Sequence, residues 1–241
     1  KAVMAHVRRW QERSGKRVMV AFNITDEHDA MLRHAELVAQ EGGSCVMASL
    51  NWCGFSSIQA LRRRTDLVVH GHRNGFGMFA RHPALGMDFQ PWQTLWRLAG
   101  VDHMHVHGLQ GKFAQSDAEV IDGARGCLAP LADASDTADR VMPTFSSGQW
   151  AGTVPATIAA VPSGDLLFMA GGGILAHPGG PRAGVTSLRP GDHGPHDALP
   201  YWIAAVPLFT KLKWDAERIV GLGLASVLPF GTFVLERKWL R

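Results

Sequence analysis

The sequence predicts an α/β fold: an incomplete (β/α)8 TIM-type barrel of about six strands, followed by an all-helical apolar tail. Three observations lead to this prediction. Short apolar segments alternate with segments of helical spacing along residues 1–189, which indicates strands joined by helices in a parallel sheet. The apolar segments are apolar on both faces, as expected of strands covered by helix layers. After residue 189 the alternation stops, and two uncharged apolar runs follow.

The predicted elements follow one another in regular order. A helix over residues 1–14 comes first and ends at Gly15. Six strands are predicted, at 17–24, 44–50, 66–72, 101–107, 140–146 and 165–171. Each is followed by a helix, at 25–40, 57–64, 90–99, 116–127, 152–161 and 179–189. A closed barrel needs eight strands, so we expect two more upstream of Lys1, in a longer parent sequence.

Composition and charge argue against several classes of protein. The 241 residues carry a formal net charge of +3, and each of the basic runs at 8–17 and 62–64 lies in a predicted helix or at the end of one. They are interpreted as solvated helix faces, and no nucleic-acid partner is expected. The three cysteines have no CxxC spacing, which argues against a disulfide framework and favours a reducing cytoplasm.

The tail predicts a different kind of segment. Residues 190–197 form a Gly-, Pro- and Asp-rich linker, and 198–210 and 219–235 are uncharged apolar runs within a tail spanning 198–241. The second run, at about 17 residues, is near the lower limit for crossing a bilayer. We therefore expect membrane contact through the tail, with a buried helical hairpin as the alternative.

Polar residues at the carboxyl ends of the predicted strands mark the candidate site, because the chemistry of a barrel is located there. They form a polar, cationic and glycine-rich set, as a site for a phosphorylated sugar should. The set contains Asn23, Asp26, Asn51, His72, Arg73, His105, Lys112, residues 146–148 and residues 171–173.

Three histidines alternate in the stretch HMHVHGLQGK. Strand spacing places His103, His105 and His107 on one face. Zinc would need three rings converging within about 2.1 Å of one ion, yet same-face residues two apart are separated by about 6.6 Å along a strand. Phosphate binding by His105 together with Arg73 is the preferred interpretation. A metal-binding module built on the histidines remains an alternative.

Five segments carry a family resemblance in the correct order. They are VMVAFNIT, VVHGHRNGF, GVDHMHVHGLQGKF, PTFSSGQW and FMAGGGILAHPGG. Residues 1–189 resemble the C-terminal barrel of the RuBisCO large-chain family, and more closely its RuBisCO-like (type IV) branch. The resemblance implies catalytic roles for Lys112 and His72. It also implies a substrate- and phosphate-binding set of Arg73, His105, Ser146, Gly172 and Gly173.

The resemblance implies a reaction as well. The parent enzyme would act on a phosphorylated keto-sugar or keto-sugar acid by magnesium-assisted enolisation, as an isomerase, tautomerase or decarboxylase, in a cytoplasmic homodimer. The family's magnesium-holding Lys-x-Asp-Glu motif is absent from the sequence, so no metal ligand is assigned in this chain, and alone it is expected to be inactive. Ser147 stands where the family has glycine.

Residues 193–241 resemble small bacterial integral-membrane proteins of unknown function. The alternative to an enzyme is therefore a catalytically inactive chimera with a membrane-associated tail.

Overall fold

The computed structural model describes residues 1–82, 84, 86–111, 115–132 and 139–188. These residues form two compact units: the first lies within 1–147 and 156–169, and the second within 148–155 and 170–188. Lys112, the predicted linker at 190–197 and the predicted tail at 198–241 lie outside the described residues.

A six-stranded parallel sheet forms the centre of the first unit, and its spatial order is the order of the chain. Every neighbouring pair of strands is parallel. This confirms the prediction of a parallel α/β fold with six strands. The strands are β1 Ala21–Asn23, β2 Cys45–Ser49, β3 Val68–His72, β4 His103–His105, β5 Met142–Phe145 and β6 Leu167–Phe168.

Each strand lies inside its predicted range but is shorter. The predicted first strand began at residue 17, whereas the ladder begins where Ala21 pairs with Cys45. Val18 and Met19 are 45% and 46% exposed. Apolar, β-branched residues predict a strand wherever they occur, but only residues with a hydrogen-bonded neighbour join the sheet.

Ten α-helices and one 3-10 helix accompany the sheet in the described residues. The α-helices are α1 Ala2–Ser14, α2 His28–Gln40, α3 Leu50–Cys53, α4 Phe55–Arg64, α5 Gly77–Ala80, α6 Phe89–Leu98, α7 Asp117–Leu128, α8 Val154–Ala160, α9 Gly171–Leu175 and α10 Gly180–Thr186, and the 3-10 helix is Ala151–Thr153. The short helices α3, α5 and α9 were not predicted, because a single turn is too short to display helical periodicity.

Local signals explain where the longer helices begin and end. The Glu27 carboxylate accepts hydrogen bonds from the amides of Asp29 and Ala30 and so caps α2. Ser116 and Glu119 form a reciprocal capping box at α7. Gly15, at φ 65°, ends α1 in the left-handed conformation that glycine favours.

The core of the first unit lies between the strands and their helices. Val46, Val69, Met104 and Phe145 are buried on the strands. An aromatic group from the loop after β3 and from α6 packs with them, and consists of Phe76, Phe89, Trp92 and Trp96.

Gly71 allows β3 to pack closely on one face. A Cβ at this position would lie 2.7 Å from Cγ1 of Val101 and 3.0 Å from Cδ1 of Leu50. Since side chains alternate along a strand, His70 and His72 project from the opposite face. The same strand therefore supplies the core on one side and polar groups on the other.

Candidate functional site

Four buried or half-buried imidazoles meet on one face of the sheet. The register of β3 against β4 places His70 opposite His103, and the period of two adds the other two histidines to that face. We call His70, His72, His103 and His105 the histidine cluster. The ring centres of His72 and His105 are 4.3 Å apart.

Hydrogen bonds join three members of the histidine cluster to a serine. Nδ1 of His70 lies 3.3 Å from Nδ1 of His103, and Nε2 of His70 lies 2.7 Å from Nε2 of His105. Nδ1 of His105 lies 2.9 Å from Oγ of Ser146. The structure thus brings the predicted residues His72, His105 and Ser146 together. It adds His70, which sequence reasoning missed although its His-x-His spacing matches that of His103 and His105.

Burial keeps the histidines of this region neutral. Burial lowers the pKa of His105 to about 2, with nearby histidines adding to the effect. It lowers the pKa of His70 to about 4 and that of His107 to about 3, and it also lowers the pKa values of His72 and His103. Near pH 7 each ring therefore has one N–H donor and one bare acceptor nitrogen.

Arg73 supplies a buried cation beside the histidine cluster. Its Nη2 donates a 2.8 Å hydrogen bond to Oε1 of Gln115, and its guanidinium carbon lies 4.3 Å from the ring centre of Phe89 and 4.7 Å from that of Phe76. Burial lowers the pKa of Arg73 to about 9, so it remains protonated at pH 7.

The guanidinium of Arg73 has unused hydrogen-bonding capacity. Its Nε and Nη1 are buried and have no hydrogen-bond partner among the described residues. A buried charge whose donors are unpaired is costly. A planar fork with two free donors matches the oxygens of a phosphate or carboxylate, so the geometry fits an anion.

Strained backbone follows both β4 and β5. His107 has φ 68° and Ser147 has φ 71°, in the left-handed region that costs a non-glycine residue about 1–2 kcal/mol. His107 lies two residues after His105, and Ser147 directly follows Ser146. Strain of this kind concentrates at functional sites. Ser147 is the position where the sequence departs from the family's glycine, and its conformation is one that glycine adopts without strain.

His107 does not continue the predicted alternation. Strand β4 ends at His105, so the expectation that His103, His105 and His107 share one strand face is wrong for His107. No group of three or more His, Cys, Asp or Glu residues is arranged to hold a metal ion in the described part of the chain. The histidine cluster, Arg73 and Ser146 do not fit magnesium either, because that ion prefers several oxygen ligands.

Glycines 171–173 open α9 in the second unit. A Cβ on Gly173 would lie 2.6 Å from the carbonyl oxygen of Gln149, so packing requires this glycine. A Cβ on Gly172 would meet no described atom within 4 Å, which leaves its backbone open to a ligand. The predicted grouping of Arg73 with Gly172 and Gly173 around phosphate joins residues of two units, and stays a prediction.

Other polar strand-end residues make local contacts. Oδ1 of Asn23 accepts a hydrogen bond from the amide of Thr25. Asn51 donates to the carbonyl of Asn74 and accepts from Nε1 of Trp92. These contacts explain both asparagines as structural residues, the former in a turn and the latter as a tie between α3 and α6.

Parallel strands whose carboxyl ends carry a buried cation and neutral imidazoles are typical of α/β proteins with a ligand site at that edge of the sheet. Residues 1–194 match the family described as ribulose bisphosphate carboxylase large chain, catalytic domain. The chain belongs to this family. Residues 199–241 match a domain of unknown function, DUF3817.

Two similar proteins are named for reactions of a phosphorylated sugar acid. A 3-oxo-isoapionate-4-phosphate transcarboxylase/hydrolase of Xanthobacter autotrophicus is 51% identical over 180 residues, which cover 75% of this chain and 43% of that protein. A 3-oxo-isoapionate-4-phosphate decarboxylase of Rhizobium etli is 39% identical over 218 residues, covering 90% of this chain and 50% of that protein. The chain thus spans about half the length of the curated relatives it matches.

Solved structures agree with the fold and with the RuBisCO-like branch. A rubisco-like protein from Burkholderia fungorum is 66% identical with a TM-score of 0.75, covering 86% of this chain and 53% of that chain. The octameric ribulose-1,5-bisphosphate carboxylase/oxygenase of Pyrococcus horikoshii is 32% identical with a TM-score of 0.70, covering 77% of this chain and 44% of that chain.

The predicted membrane tail falls outside the described residues. Within the part that the structure describes, no helix combines the length and the apolar character needed to span a bilayer. The resemblance of residues 193–241 to small membrane proteins therefore stays a prediction.

Proposed function

We propose that this chain carries a phosphate-binding portion of a RuBisCO-like enzyme that acts on a phosphorylated keto-sugar acid. The names of the relatives from Xanthobacter autotrophicus and Rhizobium etli support this substrate class. They also favour carboxyl-group removal or transfer over isomerisation and tautomerisation. A 3-oxo acid that loses its carboxyl group leaves its electrons on the ketone oxygen as an enolate, which agrees with the enolisation chemistry inferred from the sequence.

The observation that carries the proposal is the buried guanidinium of Arg73. Its Nε and Nη1 have no partner among the described residues, and its cation survives burial at neutral pH. A phosphate dianion would satisfy both donors and neutralise the charge. Neutral His105 contacts the hydroxyl of Ser146 through Nδ1 and so orients that hydroxyl as a further hydrogen-bonding group beside Arg73.

The proposed roles follow the family resemblance residue by residue. Lys112 and His72 act in catalysis. Arg73, His105 and Ser146 bind the phosphorylated substrate, and Gly172 and Gly173 form a further phosphate-binding element. Magnesium is expected for the complete enzyme, with ligands that the described residues of this chain do not supply. The homodimer, the cytoplasmic location and the division into a barrel portion at 1–189, a linker and a tail stay predictions.

Phosphate binding tests the proposal directly. Inorganic phosphate is titrated into the full chain by calorimetry, in wild type, Arg73→Gln, Arg73→Lys and the exposed-site control Arg33→Gln. A hydrogen bond to a charged group contributes about 1.5–3 kcal/mol, so Arg73→Gln should weaken binding roughly 10- to 100-fold. Arg73→Lys keeps the charge but loses the planar fork, so its phosphate affinity should lie between those of wild type and Arg73→Gln.

Thermal unfolding of each variant shows whether it is folded before titration. Equal phosphate affinity in wild type, Arg73→Gln and Arg33→Gln would rule out Arg73 as the anion site. Loss of binding in Arg33→Gln alone would assign the phosphate to the surface of α2.

A further inference from the structure

We propose that Ser146, His105, His70 and His103 form one proton relay along one face of the sheet. Ser146 follows the carboxyl end of β5 and His103 begins β4, so the relay connects the two ends of the parallel sheet. Its use in a reaction rests on the proposed function. Its existence does not, because it follows from contacts within the first unit alone.

The contacts form an unbranched chain. Oγ of Ser146 contacts Nδ1 of His105 at 2.9 Å, Nε2 of His105 contacts Nε2 of His70 at 2.7 Å, and Nδ1 of His70 contacts Nδ1 of His103 at 3.3 Å. Both ring nitrogens of His105 and of His70 are therefore used. All four residues are at most 9% exposed, so little water competes for the contacts between them.

The His103 end of the relay borders a separate cavity. His103 lines a cavity of about 650 Å³ together with Asp102, Arg140 and Asp165. A proton that reaches His103 can therefore leave to water on the amino-end side of the sheet. The relay thus has one end at the proposed substrate site and the other at a separate cavity.

Because the rings are neutral, the position of the proton in one contact fixes the tautomer of every ring in the relay. Each contact holds one proton, and each neutral ring has one. If Ser146 donates to His105, then His105 and His103 are protonated at Nε2 and His70 at Nδ1. If Ser146 accepts, all three rings change tautomer together. In both arrangements His103 and His105 have the same tautomer and His70 has the opposite one.

A shift between the two arrangements moves one proton and leaves no charge on the rings. Ser146 takes a proton from the bound molecule while its own proton passes to Nδ1 of His105. The Nε2 proton of His105 passes to His70, the Nδ1 proton of His70 passes to His103, and the Nε2 proton of His103 goes to water. Within the protein only O–H and N–H bonds form and break; in the bound molecule the C–H bond beside the ketone breaks, and its electrons remain on the molecule as an enolate.

The final arrangement is the one required for transfer in the opposite direction. The relay therefore suits a reaction that removes a proton from the bound molecule in one step and returns a proton in a later step. Enolisation followed by reprotonation is such a reaction, and protonation of the enolate left by carboxyl loss uses the second step alone. His70 and His103 are then positioning residues that set the tautomer of His105, outside the substrate-binding set.

Nitrogen NMR of the full chain labelled with 15N-histidine tests the relay. The signals of Nδ1 and Nε2 distinguish a protonated nitrogen from a bare one in each ring. We expect neutral rings at pH 7.5, with a shared tautomer in His103 and His105 and the opposite tautomer in His70. A wild-type protein in which His103 and His105 differ in tautomer would overturn the proposal, and this readout needs no variant.

Substitution at one end tests transmission to the other. Ser146→Ala should shift the ring signals of His105, His70 and His103. His70→Phe removes the link between His105 and His103. Adding Ser146→Ala to His70→Phe should therefore leave the ring signals of His103 unchanged. Ser57 is the matched control, because its hydroxyl contacts Nδ1 of His28 at 3.1 Å in a separate serine–histidine pair. Ser57→Ala should shift His28 and leave the relay unchanged.

The result against the relay is a Ser146→Ala protein in which His105 shifts and His103 does not. That result would leave phosphate binding by Arg73 intact. Conversely, coupled tautomers in a chain that binds no phosphate would retain the relay and reject the proposed function.

Discussion

The carboxylate of Asp102 lies 2.9 Å from Nη1 of Arg62 and joins the start of β4 to α4. The same oxygen accepts a 2.7 Å hydrogen bond from the amide of Val69. Nη2 of Arg62 in turn donates to the carbonyls of Thr65 and Leu67. The pair thus holds the turn between α4 and β3 against β4, just before the strands reach the histidine cluster.

We expect Asp102→Asn to lower the free energy of unfolding by about 1–2 kcal/mol. This loss is smaller than the contribution of a fully buried charged hydrogen bond, because the side chains of Asp102 and Arg62 are both partly exposed. Urea unfolding at pH 7.5 measures the change. Glu36→Gln is the matched control, since Glu36 forms an exposed 2.7 Å pair with Arg64, and should cost no more than about 0.5 kcal/mol. Equal losses in the two variants would contradict a special role for Asp102.

Ser147→Gly should stabilise the protein. The left-handed backbone of Ser147, at φ 71°, costs about 1–2 kcal/mol, while the greater freedom of glycine in the unfolded chain returns about 0.5–1 kcal/mol. The expected net gain is about 0.5–1 kcal/mol in the free energy of unfolding. Gly148→Ala, at φ 81°, should change stability in the opposite direction, and a loss in both variants would show that the Ser147 side chain contributes more than its strain costs.

Gly71→Ala should destabilise the first unit by about 1–3 kcal/mol through overpacking. The new methyl group would lie 2.7 Å from Cγ1 of Val101. Adding Val101→Ala removes that atom, so the double variant should recover part of the loss relative to the sum of the single variants. Thermal or urea unfolding gives the coupling energy, and strict additivity would mean that the two positions do not compete for the same space.

Acid should destabilise the fold from about pH 6.5 downward. His70 and His105 have folded pKa values lowered to about 4 and about 2, so the unfolded chain, with a histidine pKa near 6.5, binds more protons. The contribution of these neutral histidines to the free energy of unfolding is therefore fully present above pH 6.5, and it is lost as the pH falls toward the folded pKa values. Each such histidine contributes a slope of up to about 1.4 kcal/mol per pH unit.

Urea unfolding at pH 8, 7, 6 and 5 measures this dependence. His70→Gln should reduce the slope between pH 6 and 5, whereas His6→Gln, at an exposed position of α1, should leave it the same as in wild type. A slope that is identical in all three proteins would show that the histidine cluster is not the source of the acid sensitivity.

Apolar patterning was sufficient to predict the sheet. Short buried runs such as those around Val46 and Val69 favour strands because they are only a few residues long and rich in β-branched residues. The strand ends then follow, and they include His72, Arg73, His105 and Ser146. Spacing could not show that β4 stops at His105, because the positive φ of His107 depends on how the following loop packs. The unpaired nitrogens of Arg73 likewise depend on which partners the fold brings near.

The sequence alone could not predict the role of His70 for a similar reason. A histidine inside an apolar strand is more often a satisfied core residue than a functional one, and only the register against β4 places it between His103 and His105. Arg62 was interpreted as part of a solvated basic run. Its ion pair with Asp102 comes from a residue distant in sequence, which a local pattern does not reveal.

The order of the sheet has a consequence for synthesis on the ribosome. Each strand from β2 to β6 pairs with the strand made just before it, so its partner is already outside the exit tunnel when it emerges. Assembly can proceed by adding one strand and one helix at a time to a growing edge, with short loop closures at each step. Codon changes that alter the pace of translation should therefore matter less to the pairings among these six strands than to a pairing between strands far apart in the chain.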